Sequence, residues 1–269
     1  MTLSFISLFS GFGGLDLGME MAGLQCVAQV ENNIYAQKIL SKHWPHVLRL
    51  GDVREAGAHN LPAADVIAGG FPCVDISEAG RGAGITGPQS GLWKEFARVI
   101  GEVRPKYVLV ENVSALLVRG IGTVLGDLSS LLYHARGGIV PACAFGASHT
   151  RERLFIVAYS QDYGRNLFSN ESRVISEVVH PWNKFSSRRS SLSRRVWPFP
   201  PSEYARMADG LSPRMERDRA ERLRGLGNAV AIPVAKFMGE YILRLEEKRS
   251  LAEMEECDNG EKTTRLYRT

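Results

Sequence analysis

Three stretches of this sequence hold side chains able to do covalent or proton-transfer chemistry. The first is Gly69-Gly70-Phe71-Pro72-Cys73-Val74-Asp75-Ile76-Ser77, where a proline and flexible glycines hold a cysteine. A thiolate so placed is a nucleophile that can meet a substrate. The second is Glu111-Asn112-Val113, directly after the apolar run Tyr107-Val108-Leu109-Val110. A carboxyl at the end of such a run is costly to bury unless it has a task. The third is Phe9-Ser10-Gly11-Phe12-Gly13-Gly14, with Glu31 following 20 residues after Gly11. Glycines in a turn before a helix let a ligand approach the backbone, and an acid ending the next strand accepts from ribose hydroxyls. Each has a plainer reading alone: a packing turn, a buried filler thiol, a glutamate that caps a loop. The glycines are not in the G-x-G-x-x-G order of a nicotinamide-binding turn, which argues against a dehydrogenase.

The surrounding pattern says what must position these groups. Leu3–Phe9 reads as a strand, Leu15–Ala22 as a helix, and Leu24–Val30, Asp65–Ala68 and Tyr107–Val110 as further strands. A later strand covers Arg153–Ala158. Strands alternating with helices predict an α/β fold, a mostly parallel sheet covered on both faces. Ligands of such sheets sit beyond the carboxyl ends of the strands, where Cys73 and Glu111 would share one crevice. From Tyr159 to about Arg224 the periodicity dissolves for over sixty residues, too long for an ordinary connection. Pattern returns at Ala229–Leu245, a predicted helix with Pro233 near its start, and the charged end reads as a frayed tail.

The 269 residues suffice for one sizeable core, and 44% hydrophobic with 23% charged residues is ordinary for a globular protein. No apolar run reaches the ~20 residues of a membrane span, and the N-terminus reads as a strand rather than a signal peptide. Cytoplasmic location is the expectation. Cys26, Cys73, Cys143 and Cys257 lie far apart without ligand spacing, so neither a metal site nor a disulfide framework is expected. The net charge of +4 is unevenly spread: Tyr159–Arg224 holds 13 Lys and Arg against 8 Asp and Glu. Lys184, Arg188, Arg189, Arg194 and Arg195 there lie among serines, which suits phosphate contacts or a merely solvated basic loop.

Together these motifs resemble the C5-cytosine-specific DNA methyltransferases. Ser7–Gly14 looks like that family's cofactor loop, Phe71-Pro72-Cys73 its nucleophile motif and Glu111-Asn112-Val113 its acid motif. Arg151-Glu152-Arg153-Leu154-Phe155 and Gly225-Leu226-Gly227-Asn228-Ala229-Val230 match its arginine and closing motifs, all in the family's order. Val74 and His149 stand where the family usually has glutamine, and the recognition region is short.

The resemblance implies a Rossmann-like S-adenosylmethionine-dependent fold with a small irregular target-recognition insertion. Its parts would be a catalytic and cofactor-binding domain at 1–158, a basic recognition segment at 159–224, a return at 225–250 and a tail at 251–269. It implies attack by Cys73 on cytosine C6, with Glu111 at the N3/N4 edge, Arg153 at O2 and Arg151 positioning the cysteine loop or a phosphate. S-adenosylmethionine, without a metal, is assigned to Phe9, Gly11, Phe12, Gly13, Glu31, Asn32, Asp52, Pro72, Asn228 and Val230. The expected partner is double-stranded DNA with the target base flipped out; a restriction-modification pairing, an orphan role and a phage role all stay open at this point. A monomer with no obligate protein partner is expected. The rivals are RNA cytosine-5 methylation by the same groups and a nucleic-acid-binding protein without turnover.

Overall fold

The computed structural model describes residues 2–72, 91–147, 150–163 and 229–266, with side chains as far as residue 252. Cys73, Val74, His149, Asn228 and nearly all of the basic segment lie outside the described residues. In chain order come β1 (Ser4–Leu8), α1 (Gly14–Ala22), β2 (Gln25–Val30), α2 (Ile34–His43), β3 (Leu48–Leu50) and β4 (Val66–Gly69). They are followed by α3 (Leu92–Val103), β5 (Tyr107–Val113), α4 (Leu116–Arg119), α5 (Ile121–Ser130), β6 (Tyr133–Pro141), β7 (Glu152–Ser160) and α6 (Ile232–Leu266).

These strands form a seven-stranded sheet in the order β3-β2-β1-β4-β5-β7-β6. The first five are mutually parallel; β7 runs antiparallel to both β5 and β6. Alternation along the strands divides the core in two, as a sheet covered on both faces requires. Ile6, Leu8, Ile67, Val108 and Val110 pack on one side with Trp93, Phe96 and Val99 of α3 and Val124 and Leu128 of α5. Phe5, Val66, Ala68 and Leu109 pack on the other with Met19 of α1, Leu40 of α2 and Ala235, Met238 and Ile242 of α6.

Glycine permits the closest helix contact. A Cβ on Gly18 would stand 2.3 Å from the Ala235 Cβ and 2.8 Å from the Ile232 carbonyl oxygen. Helix α6 therefore crosses α1 at backbone distance, and this crossing returns the C-terminal segment to the sheet.

Several elements differ from the sequence reading. Strand β5 continues through Glu111, Asn112 and Val113 because β7 pairs with it along that length, so Glu111 lies within the strand. Strands β3 and β6 were not expected. The first has three residues at the sheet edge, and Gly137-Gly138 interrupts any alternation in the second. A Cβ on Gly137 would lie 2.7 Å from the Phe155 carbonyl oxygen, so that glycine serves the strand pairing. The tail predicted to fray is helical through Leu266. Once packing fixes the start of α6, a stretch such as Leu251-Ala252-Glu253-Met254-Glu255-Glu256 extends it without needing an apolar face. Among the described residues no helix is long and apolar enough to cross a membrane.

Candidate active site

The parallel strands β1, β4 and β5 end at one crevice, and a cavity of about 330 Å³ opens there. Its walls come from the β1–α1 turn, the β2–α2 turn, the segment after β4, the end of β5, Arg153 of β7 and Ala229-Val230 before α6.

The β1–α1 turn is bent by left-handed residues: Phe9 has φ 56°, Gly11 55° and Gly13 78°. Phe9 takes this costly conformation while its ring packs 6.1 Å from that of Phe96. Gly13 caps α1 without a side-chain hydrogen bond, so Gly14 and Leu15 at the helix start line the cavity. Gly13 itself serves packing, since its Cβ would meet the Trp44 ring at 2.5 Å.

Glu31 joins the two turns. Its carboxylate accepts from the Gly11 N–H and the Asn33 N–H, both at 2.8 Å. Each oxygen keeps a further lone pair for a ligand hydroxyl. Asn32 and Tyr35 stand beside it on the cavity wall, and the Tyr35 ring lies 5.8 Å from that of Phe12. Tyr35 escaped the sequence reading because only the fold brings the start of α2 against the glycine turn.

Across the cavity, Glu111 is 8% exposed, and its Oε1 lies 3.2 Å from Arg153 Nε. In the β5–β7 register Val113 faces Arg153 and Glu111 faces Phe155, which puts Glu111 and Arg153 diagonally on one sheet face. Burial pushes the Glu111 carboxyl up to about 7, outweighing the opposing pull of Arg153 and Arg151. Such a group can hold or release a proton near neutrality. Asn112 Nδ2 donates to the Phe71 carbonyl at 3.1 Å, tying β5 to the segment that leads through Pro72 to Cys73.

Arg151 has φ 33° and donates Nη2 to the Ala229 carbonyl at 2.7 Å. It thus holds the returning segment, whose Val230 lines the cavity. Asp52 is absent from the cavity wall, and Arg54 pairs with its carboxylate through the backbone N–H at 2.9 Å and Nε at 3.0 Å. Of the predicted residues, the cavity gathers Phe9, Gly11, Phe12, Glu31, Asn32, Pro72, Glu111, Arg153 and Val230. Among the described residues no three His, Cys, Asp or Glu side chains gather as a metal-binding group.

The family profile described as C-5 cytosine-specific DNA methylase matches residues 3–199. Type II methyltransferase M.FnuDI of Fusobacterium nucleatum is 30% identical over 199 residues, covering 72% of this chain and 55% of its own. M2.BsuMI of Bacillus subtilis strain 168 is 28% identical, covering 98% of this chain and 80% of its own. M.HhaI of Haemophilus parahaemolyticus is 29% identical, covering 60% and 50%. The chain thus spans about half the length of M.FnuDI and M.HhaI. Among solved structures, a DNA modification methyltransferase encoded within an E. coli prophage is 28% identical with a TM-score of 0.51, covering 60% of this chain and 47% of that one. The Entamoeba histolytica methyltransferase EhMeth, 17% identical, shares the fold with a TM-score of 0.53 over 65% of this chain and 56% of its own.

Proposed function

This chain belongs to the C-5 cytosine-specific DNA methylases, and on that premise we propose that it transfers a methyl group from S-adenosylmethionine to C5 of a cytosine flipped out of duplex DNA. The observation that carries the reading is Glu111, a carboxyl titrating near neutrality across one cavity from the glycine turn and Glu31.

The cavity suits the cofactor. The start of α1, which no side chain caps, suits a carboxylate, Glu31 has lone pairs left for ribose hydroxyls, and Phe12 and Tyr35 offer aromatic faces for a purine. Bound there, S-adenosylmethionine supplies an electrophilic methyl group. Phe9, Gly11, Asn32, Pro72 and Val230 complete the wall, and Asn228 stands two residues before Val230 in sequence. Gly13 supports the turn from behind. Asp52 would exchange its Arg54 partner for the adenine amino group.

Cytosine C5 is a weak nucleophile, so electron density must first be raised there. The Cys73 thiolate would add to C6 while Glu111 donates its proton to N3, leaving an enamine with its density at C5. Arg153, whose Nε lies 3.2 Å from Glu111 Oε1, would contact the base O2. Arg151 acts at one remove by holding Ala229. Once C5 carries the methyl group, loss of the C5 proton to water, departure of Cys73 as thiolate and return of the N3 proton to Glu111 would restore the ring. The base must leave the stack for any of this to occur. The basic 159–224 segment is assigned to reading duplex DNA, in a cytoplasmic monomer serving restriction-modification.

The experiment is transfer of labelled methyl to unmethylated duplex DNA by wild type and Cys73→Ser. Label recovered as 5-methylcytosine from wild type alone is expected. Label on RNA but not DNA would overturn the substrate, and cofactor binding without transfer to either would make the protein a silent binder.

A further inference from the structure

Strand β7 leaves the cavity at Arg153, and its antiparallel register sets Tyr159 against Tyr107 at the far end of β5. Tyr163 lies at that far end, its ring 6.0 Å from the Tyr107 ring and edge-on to it. All 13 Lys and Arg of the 159–224 segment come after Tyr163. The chain is back at the cavity by Ala229, which lines it. Departure and return therefore stand at opposite ends of the sheet, separated by roughly the 20 Å length of β5. Helix α6 covers the same height, because it rises about 21 Å between Ile232 and Glu246.

Tyr163 is held where α6 reaches the far end. Its hydroxyl donates to Glu246 Oε1 at 2.7 Å, and the Tyr107 hydroxyl donates to Glu246 Oε2 at 3.0 Å. Arg249 Nη2 lies 3.1 Å from Oε1 and Nε 3.3 Å from Oε2 of the same carboxylate. The Arg249 guanidinium is also 4.1 Å from the centre of the Tyr163 ring, and the Lys106 ammonium is 4.8 Å from it. Lys106 is fixed in turn by Asp65 Oδ1 at 2.9 Å. Burial disfavours charge on Glu246, but hydrogen bonds from Arg249, Tyr163 and Tyr107 outweigh it and hold the carboxyl below its usual range. Glu246 is thus an ionised acceptor shared by two phenols.

The apolar seam of Val234, Ala235, Met238, Ile242 and Leu245 already docks α6 on the sheet. What the polar cluster adds is a hold on Tyr163, which lies beyond Ser160, the last paired residue of β7. At the cavity end, the hydrogen bond from Arg151 to the Ala229 carbonyl holds the return. Each end of the segment has its own clamp, with α6 as the strut between them.

We propose that Glu246 is a positioning residue for DNA recognition: acting through Tyr163, it fixes the point from which the basic segment departs. This rests on the reading of that segment as the part that meets duplex DNA. With the clamp broken, ordering the departure point becomes a cost of binding DNA, while the reaction centre at the other end is untouched.

Filter binding of the full chain to a labelled, unmethylated plasmid digest tests this, with S-adenosylhomocysteine present. Calorimetry with S-adenosylhomocysteine and single-turnover transfer at saturating DNA run beside it. Glu246→Ala is expected to weaken DNA binding about tenfold, the scale of a hydrogen bond to a charged group. Cofactor affinity and the saturated rate should stay within about twofold of wild type. Tyr163→Phe keeps the ring beside its two cations and loses only the hydroxyl, so about threefold weaker DNA binding is expected. That milder variant remains readable should Glu246→Ala disturb folding. Variants with a lower urea midpoint but wild-type DNA binding would overturn the proposal and leave Glu246 as a structural tie. Equal losses of DNA and cofactor affinity would overturn it as well. Wild type that binds no duplex would overturn the DNA reading of the segment, and the proposal with it, a result distinct from equal binding by wild type and variants.

Discussion

The Glu111 carboxylate occupies the space where a side chain on Gly70 would begin. A Cβ at position 70 would lie 2.5 Å from Glu111 Oε2 and 3.3 Å from the Glu111 carbonyl oxygen. Gly70 therefore lets the acid rest against the segment that leads to Cys73. Gly70→Ala should displace the carboxyl and lower kcat by about a hundredfold, the scale of losing one transition-state donor. Affinity for S-adenosylhomocysteine should change little. Single-turnover methyl transfer beside calorimetry checks this, and equal losses in both would contradict it.

Glu111 also predicts a pH dependence of stability. Its folded value of about 7 exceeds the ordinary 4.5, so the folded state binds the proton more tightly than the unfolded chain. Its contribution is most favourable below the unfolded value and is lost as pH rises from there through about 7. Glu111→Gln removes this loss and should stabilise the protein by up to about 3 kcal/mol at pH 8, with little gain at pH 4.5. Urea titrations at both values test the sign.

The same group predicts a pH profile of activity. If Glu111 delivers the proton to N3, kcat/KM should fall as pH passes through about 7, the range where the free enzyme loses that proton. Glu111→Gln should lack this limb and retain only residual transfer. A wild-type profile that keeps rising to pH 9 would remove Glu111 as the donor.

Contact between α1 and α6 at Gly18 links packing to the cavity. Gly18→Ala inserts a methyl where the Ala235 Cβ stands 2.3 Å away, and should destabilise by about 1–3 kcal/mol. Because α6 follows Val230, the variant should also bind S-adenosylhomocysteine several-fold more weakly. Denaturation with and without that ligand measures both effects.

Arg98 holds the turn beside Asp52. Its Nη2 donates to the Val53 and Ala56 carbonyls, both at 2.9 Å, while Nε and Nη1 each lie 2.7 Å from Glu95 and Glu102 oxygens. Arg98→Met should free the turn, raising KM for the cofactor about tenfold with kcat nearly unchanged. Amide exchange at residues 52–58 should accelerate in step, and unchanged exchange would contradict the account.

The sequence by itself determined the groups and their order along the chain. Strand–turn–helix punctuation around Gly11 and Gly13, the acid ending β2 and the apolar run before Glu111 are local signals, because neighbouring residues settle backbone conformation and periodicity. The five parallel strands were legible in part for that reason, though three-residue β3 was too short to leave a pattern. Only the tertiary structure decided the pairings. Glu111 meets Arg153 through the antiparallel register of β5 and β7, and a shift of one residue would send the arginine to the opposite face. Tyr35 and the Gly70 cradle likewise acquire meaning from residues distant in sequence. The physical reason is that burial sets their electrostatics: the sequence marks Glu111 as a candidate acid, but its shift toward neutrality arises from desolvation that the assembled sheet and helices create.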